Sequence, residues 1–337
     1  MRIGVKRCGM VIGWFLSLCA LAAVYLSLYY HTPASREHET RIVMIAKGAS
    51  LQHIARQLAD AGLIRHRHMF VLYVAWFSSG SYLQAGEYAL QPSLSPVQIV
   101  DIMRRGQVLR HALTIPEGLT LREVASLVAA KGLGARQAIL DLAQDASFIA
   151  SLQLAVPSLE GYVFPETYSV PRGLSEQELL TLMVRTFHAH YTPDIAAQGQ
   201  ALGFTQHDIV TLASLIEKEA RVDDERPLIA AVYHNRLQRG MRLQCDPTVI
   251  YALGERFDGN LRKADLDIDS PYNTYRYPGL PPGPIANPGR RSLEAAVAPA
   301  AVDYLYFVAT GHNGAHHFSH TLGEHNQAVR KYQLRAP

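Results

Sequence analysis

Two carboxylates close an apolar helical pattern in the stretch Leu212-Ala213-Ser214-Leu215-Ile216-Glu217-Lys218-Glu219-Ala220. At about 100° per residue, Ile209, Leu212, Leu215 and Ile216 share one face, with Glu219 roughly 40° from its centre, Glu217 roughly 120° away and Lys218 opposite. A carboxyl on an apolar face loses solvation, which raises its pKa and lets it keep a proton near neutral pH, as a general acid must. Glu219 is therefore the candidate acid. The competing reading puts Glu219 at the edge of the core, bonded to a backbone group or paired with Arg221 or Arg226, because structural networks also perturb carboxylates.

Other residues able to do chemistry fall on irregular segments. Leu159-Glu160-Gly161-Tyr162-Val163-Phe164-Pro165-Glu166-Thr167-Tyr168 combines rings and carboxylates beside a glycine and a proline, so it is no plain helix. Aromatic rings on a loop could stack on sugar faces while the acids accept from hydroxyls, and core packing by Tyr162, Phe164 and Tyr168 explains the rings equally well. Gln244-Cys245-Asp246-Pro247-Thr248 and Tyr272-Asn273-Thr274-Tyr275 add polar groups. The run Gly279 to Gly289 is too rich in proline and glycine for a helix or central strand, and is expected to line a site. His312, His316, His317, His320 and His325 invite a metal reading, but no His-Glu-x-x-His occurs and the spacing repeats no zinc pattern, so no metal is expected. Gly311-His312-Asn313-Gly314 reads as a hairpin turn.

The elements that must position these groups are legible from caps and periodicity. Thr205 caps a helix over 206–220, and a second amphipathic helix runs from Arg226 to Arg239 before Gly240. Further helices are expected over 121–131, 138–152, 176–190 and 292–298, with strands at 111–116 and 304–309 and a partner strand from His316. Earlier in the chain, a strand at 41–46, a helix capped by Ser50, a helix over 68–77, a strand at 86–90 and a helix capped by Ser95 describe a small α+β module. Their order resembles a LysM-type glycan-binding module, and a plain spacer is the alternative. The fold class is α+β.

The 337 residues and 48% hydrophobic content suit more than one buried core. A net charge of +3 without long basic runs excludes nucleic acid as a partner, and the three cysteines form neither a disulfide nor a metal pattern. Residues 10–30 are an uncharged apolar run behind Arg2, Lys6 and Arg7, with Tyr25, Tyr29 and Tyr30 toward its far end. That length matches a bilayer core of about 30 Å. The positive-inside rule keeps residues 1–9 in the cytoplasm and exports the remainder, with 31–40 as a linker. A signal peptide cleaved near Ala20-Leu21-Ala22 is the rival reading.

Five stretches, Leu159 to Tyr168, Ala213 to Glu219, Asp246 to Tyr251, Tyr272 to Tyr275 and Gly279 to Gly283, resemble in this order the endolytic murein transglycosylases, the YceG-like proteins. The resemblance implies a small module over 41–110 and a catalytic domain over 111–337. It also implies a single-pass inner-membrane protein with a periplasmic catalytic domain. Such a lyase cuts nascent peptidoglycan between N-acetylmuramic acid and N-acetylglucosamine, leaving 1,6-anhydro ends and using no cofactor. The second Glu of Glu-Lys-Glu carries over to Glu219 as acid and base. Expected substrate contacts are Glu160, Tyr162, Glu166, Gln244, Asp246, Thr248, Asn273, Tyr275, His317 and Asn326, although turns and caps explain Asn273 and Asn326 as readily. Ala220, Cys245 and Arg276-Tyr277-Pro278 depart from the family pattern. Glycan strands and the membrane are the expected partners, with peptidoglycan synthases as neighbours by resemblance alone. A hydrolase using two acids drawn from Glu219, Asp246, Glu160 and Glu166, and a non-catalytic peptidoglycan adaptor, are the alternatives.

Overall fold

A computed structural model describes residues 2–77, 83–311 and 313–334, with backbone alone for 2–13 and 15. The chain is mixed α+β and divides into two units, Met1–His111 with Ser169–Gly173, and Ala112–Tyr168 with Leu174–Pro337.

The first unit begins with α1 (Arg2–His31), whose Trp14, Leu16, Leu18, Leu21, Val24 and Leu28 side chains are all exposed. Among the described residues no helix is long and apolar enough to cross a membrane. The span expected over 10–30 includes side chains at 10–13 and 15 that lie outside the described residues. β1 (Arg41–Ile45) and β2 (Gly86–Leu90) pair antiparallel, Val43 opposite Tyr88, and enclose α2 (Leu51–Asp60) and α3 (Arg67–Phe77) in sequence. Period-two burial selects the strand face, since Val43 and Ile45 are buried while Ile42 and Met44 are exposed. Ser50 and Ser95 cap α2 and α4 (Pro96–Arg104), the latter through a reciprocal box with Gln98. Leu58, Leu63, Phe70, Tyr88, Leu90, Ile99 and Met103 fill the core between them.

β3 (Arg110–Thr114) leads into the second unit, with α5 (Leu121–Ala130), α6 (Arg136–Leu142) and α7 (Ala146–Ser151). The single helix expected over 138–152 is thus two, because the Asp145 carboxylate accepts from Phe148 N and starts a new helix. β4 (Thr167–Pro171) forms a two-stranded sheet with β3. Then come α8 (Glu176–His190), α9 (Pro193–Ala201), α10 (Gln206–Glu219), α11 (Arg226–Gln238), α12 (Asp246–Leu253) and α13 (Arg290–Val297). A β5 (Tyr306–Ala309) and β6 (His316–Ser319) hairpin and α14 (Leu322–Tyr332) complete it.

Helix α10 is the axis of this unit. Thr205 and Asp208 close a capping box at its start, and every residue from Ile209 to Ile216 is buried, with α9, α11, α12 and α13 packed around it. The helix stops at Glu219 because Ala220 turns to extended backbone, φ −69° and ψ 122°. The Pro/Gly segment after Gly279, expected to line a site, is mostly packed inside, and Ile285 borders a hollow beside Glu160. Residues 283–289 are buried, with Ile285 N donating to Ser214 Oγ at 3.0 Å and Val163 N donating to Asn287 Oδ1 at 3.1 Å. Proline supplies no donor here, so side-chain acceptors replace a ladder and the loop becomes part of the core.

Candidate active site

The C-terminal turn of α10 delivers Glu219 to the wall of a cavity of about 410 Å³. Arg236, Leu243, Gln244, Asp246 and Tyr275 line the same space, together with β5 residues, His316 from β6 and His325 from α14. Glu219 Oε1 accepts from the Cys245 thiol at 3.3 Å and, over a long 3.5 Å, from the Tyr233 hydroxyl. Burial holds the thiol and the phenol well above their ordinary pKa values, so both remain proton donors. Among the described residues no basic side chain forms an ion pair with Glu219. Arg226, one of the two partners considered from sequence, is 3.1 Å from Glu217 and 3.2 Å from Asp223.

These surroundings favour a protonated Glu219. Burial pushes its carboxyl above the usual range, the Cys245 thiol pulls it down, Asp246 raises it again, and His316 and Tyr233 lower it. The negative end of the α10 dipole disfavours a carboxylate at that position, while Asp246 opens α12, where the dipole favours one. Tyr275 also donates its hydroxyl to Asp246 Oδ1 at 2.5 Å. Two carboxyls therefore share one cavity. Burial favours the protonated form of Glu219, and a carboxyl that can give a proton is what acid-assisted cleavage of an acetal bond uses.

Glu217 is not the solvent-facing neighbour that the helical wheel suggests. Its side chain is only 6% exposed, bridged to Arg226 and accepting from Gly289 N at 3.0 Å. The wheel assumes a watery side, and α10 has none along its middle turns. Lys218 is exposed and donates to Gly118 O at 3.1 Å.

Residues 43–331 match the model of the YceG-like family. The chain belongs to that family. An endolytic murein transglycosylase of Bacillus subtilis (strain 168) is 35% identical over 317 residues, covering 89% of this chain and 87% of the relative. A second, from Streptococcus pneumoniae serotype 2, is 32% identical, covering 86% of this chain and 58% of that longer protein. A crystal structure of a yceG-like protein from Listeria monocytogenes is 38% identical with a TM-score of 0.59, covering 86% of this chain and 99% of that one.

In this YceG-like chain the predicted residues separate into two groups. Glu219, Gln244, Asp246 and Tyr275 meet around the cavity. Gln244 adopts a left-handed φ of +51°, with its N–H donating to Thr274 O, a conformation that non-glycine residues hold mainly where surroundings impose it. The other predicted residues serve the frame. Tyr162 is fully buried with its hydroxyl 2.9 Å from His207 Nδ1, and Tyr168 donates to Phe164 O, so the rings pack the core. Thr248 donates to Cys245 O at 2.6 Å, and Asn273 donates to Leu266 O and Ile268 O to shape the loop carrying Tyr275. Glu166 is exposed and accepts from its neighbour Thr167 N. His317 and Asn326 are exposed and do not line the cavity.

Glu160 is buried elsewhere, beside a second hollow of about 320 Å³. It accepts from Leu121 N at 2.8 Å and from the Tyr251 hydroxyl at 3.2 Å, and burial pushes it up to about 7. Sequence reasoning missed Tyr233 and Arg236, and weighed His316 and His325 only as metal ligands. Period two on β6 was the available signal for His316, because it shares a face with Phe318 and not with His317. Among the described residues no group of three or more His, Cys, Asp or Glu is disposed to hold a metal ion.

Proposed function

We propose that this protein is an endolytic murein transglycosylase that cleaves the N-acetylmuramic acid–N-acetylglucosamine bond of nascent peptidoglycan. The observation that carries this is Glu219, sheltered at a cavity wall without a basic partner, in a chain of this family that covers 87% of the Bacillus subtilis transglycosylase. Glu219 protonates the bridging oxygen as the bond to the anomeric carbon lengthens. The carboxylate it becomes then accepts the proton of the muramic acid 6-hydroxyl as that oxygen closes on C1. Acid and base are one group, and no water enters. Asp246 stabilises the developing oxocarbenium charge, and Gln244 and Tyr275 position the sugars.

The exposed apolar side chains of the 30-residue α1 support a membrane anchor, with the catalytic unit in the periplasm and growing strands within reach. The order of strands and helices in the first unit supports a LysM-like role in holding glycan. Hydrolysis is the competing chemistry, since Asp246 lines the same cavity and two-carboxylate glycosidases pair an acid with a nucleophile or base. Mass spectrometry of glycan ends after digestion by the full-length chain decides between them. Ends lighter by one water than ordinary reducing ends support the lyase, and reducing ends alone overturn it.

A further inference from the structure

His316 lines the cavity, is gripped by Glu225 from behind it, and has no task in the reaction above. His316 lies on β6 with its side chain 7% exposed, and Glu225, 13% exposed, comes from the short 3-10 turn Asp223–Glu225 that follows α10. One Glu225 oxygen is 2.7 Å from His316 Nδ1, and the other accepts from His316 N at 2.8 Å. A carboxylate that grips both the ring and the backbone of one histidine fixes the ring plane and commits Nδ1, which leaves Nε2 as the free edge. Phe307 and Phe318 close the ring edge-on at 5.3 and 6.4 Å. The imidazole so held lines the cavity with Glu219.

The chemistry leaves a need at that place. Once Glu219 has given up its proton, a carboxylate stands at a helix C-terminus, shielded from water and facing Asp246 across the cavity. The Cys245 and Tyr233 donors are neutral, and the Tyr275 hydroxyl is committed to Asp246. Arg236 also lines the cavity, but its Nε and Nη1 donate to the carbonyls of Leu305, Arg242 and Leu243, and the guanidinium stacks over Tyr306 at 5.1 Å. His325 is held below the ordinary histidine value by burial and by Arg236, and stays neutral.

We infer that His316, oriented by Glu225, is a positioning residue that supplies the countercharge to the Glu219 carboxylate between the two proton transfers of each cleavage. In its protonated form the imidazole offsets Asp246, so that the proton leaves Glu219 at lower cost and the carboxylate survives long enough to take the 6-hydroxyl proton. The attraction of His316 on Glu219 has the sign this requires, lowering a carboxyl that burial raises. Glu225 does not touch the carboxyl and acts through the ring alone.

This inference rests on the transglycosylase reading, and its test has one arm that does not. The full-length chain, labelled with 13C at glutamate carboxyls, is titrated by NMR, with the Glu219 resonance assigned by its loss in Glu219→Gln. In both His316→Gln and Glu225→Gln the Glu219 midpoint should move to higher pH. An unmoved midpoint in folded variants overturns the proposal whatever the enzyme cleaves. In the activity arm, both variants should lower kcat for anhydro-end formation at least tenfold and carry the alkaline limb of the pH profile upward, because Glu219 must be protonated to start. Glu225→Asp, which keeps the charge, should restore part of both effects. A brace between β6 and the turn after α10 would lower stability in both variants while leaving the limb in place, and that result also contradicts the proposal. If the two variants move the Glu219 midpoint as stated but the wild-type chain yields no anhydro ends, the result counts against the transglycosylase reading alone.

Discussion

Glu217 and Glu219 stand two residues apart, and what separates them is the company each keeps. Glu217 has Arg226 and a backbone N–H, so its charge is neutralised in place, whereas Glu219 has weak neutral donors and a like charge nearby. Glu217→Gln should therefore be a stability lesion, leaving Arg226 short of a buried partner at a cost of about 3 kcal/mol. Denaturant unfolding should read that loss, with the folded fraction still forming anhydro ends. A variant as stable as the parent would contradict the buried bridge. Glu160 carries a different signature. Its folded value of about 7 exceeds the ordinary 4.5, so the native state holds the proton longer than the unfolded chain does, and stability falls as pH rises across that interval. Glu160→Gln should flatten that fall, which amounts to about 3 kcal/mol for a shift of this size. Unfolding measured at steps between pH 4.5 and 8 checks it. The helical pattern singled out Glu219, because an apolar stripe ending in a carboxyl is a local signal, but it left a structural role open, and the family resemblance supplied the choice. His316 and Arg236 reach the cavity, and Tyr233 reaches the Glu219 carboxyl, through tertiary packing of α11 and β6 on α10, which no single stretch of sequence encodes.

Helices with polar caps were readable in advance, because a Ser or Thr three residues before an acceptor marks a start without tertiary help. Ser50, Ser95 and Thr205 all cap as expected. Thr192 followed by Pro193 carried the same signal for α9, and Thr321 with Glu324 carried it for α14. Loops were less legible, since proline and glycine announce irregular backbone without saying what covers it. The segment through Pro284 to Gly289 is held inside, and Gly161 is where the aromatic stretch passes it. Gly161 has φ +85°, and an added Cβ would lie 2.5 Å from Pro284 and 2.9 Å from Val210. Gly161→Ala should thus combine left-handed strain with a collision and cost about 2 kcal/mol or more. Thermal unfolding tests this, and a change near zero would mean that the two loops are not packed as described.

At the scale of the whole molecule, the proposed membrane placement can be tested from the two ends of the chain. The basic residues Arg2, Lys6 and Arg7 precede the apolar run, so a reporter fused at the C-terminal end should be active only outside the cytoplasm. Cytoplasmic activity would sink the placement, and release of a shortened soluble form would favour a cleaved leader. The α+β class and the order of elements in the first unit followed from periodicity and caps, whereas β4, α9, α12 and α14 of the second were not read in advance, and the division of labour between a packed frame and a small polar cavity became visible only when α10, α11, α12 and the β5–β6 hairpin were brought together. The central claim is that one carboxyl, Glu219, does both proton transfers. Counting 1,6-anhydro ends produced from purified glycan strands by the full-length Glu219→Gln variant tests it most directly. The substitution keeps the volume and the contacts with Cys245 and Tyr233 but removes the transferable proton, so anhydro ends should fall at least about 100-fold while unfolding stability is unchanged or higher. Near-normal anhydro-end formation by that variant would contradict the account.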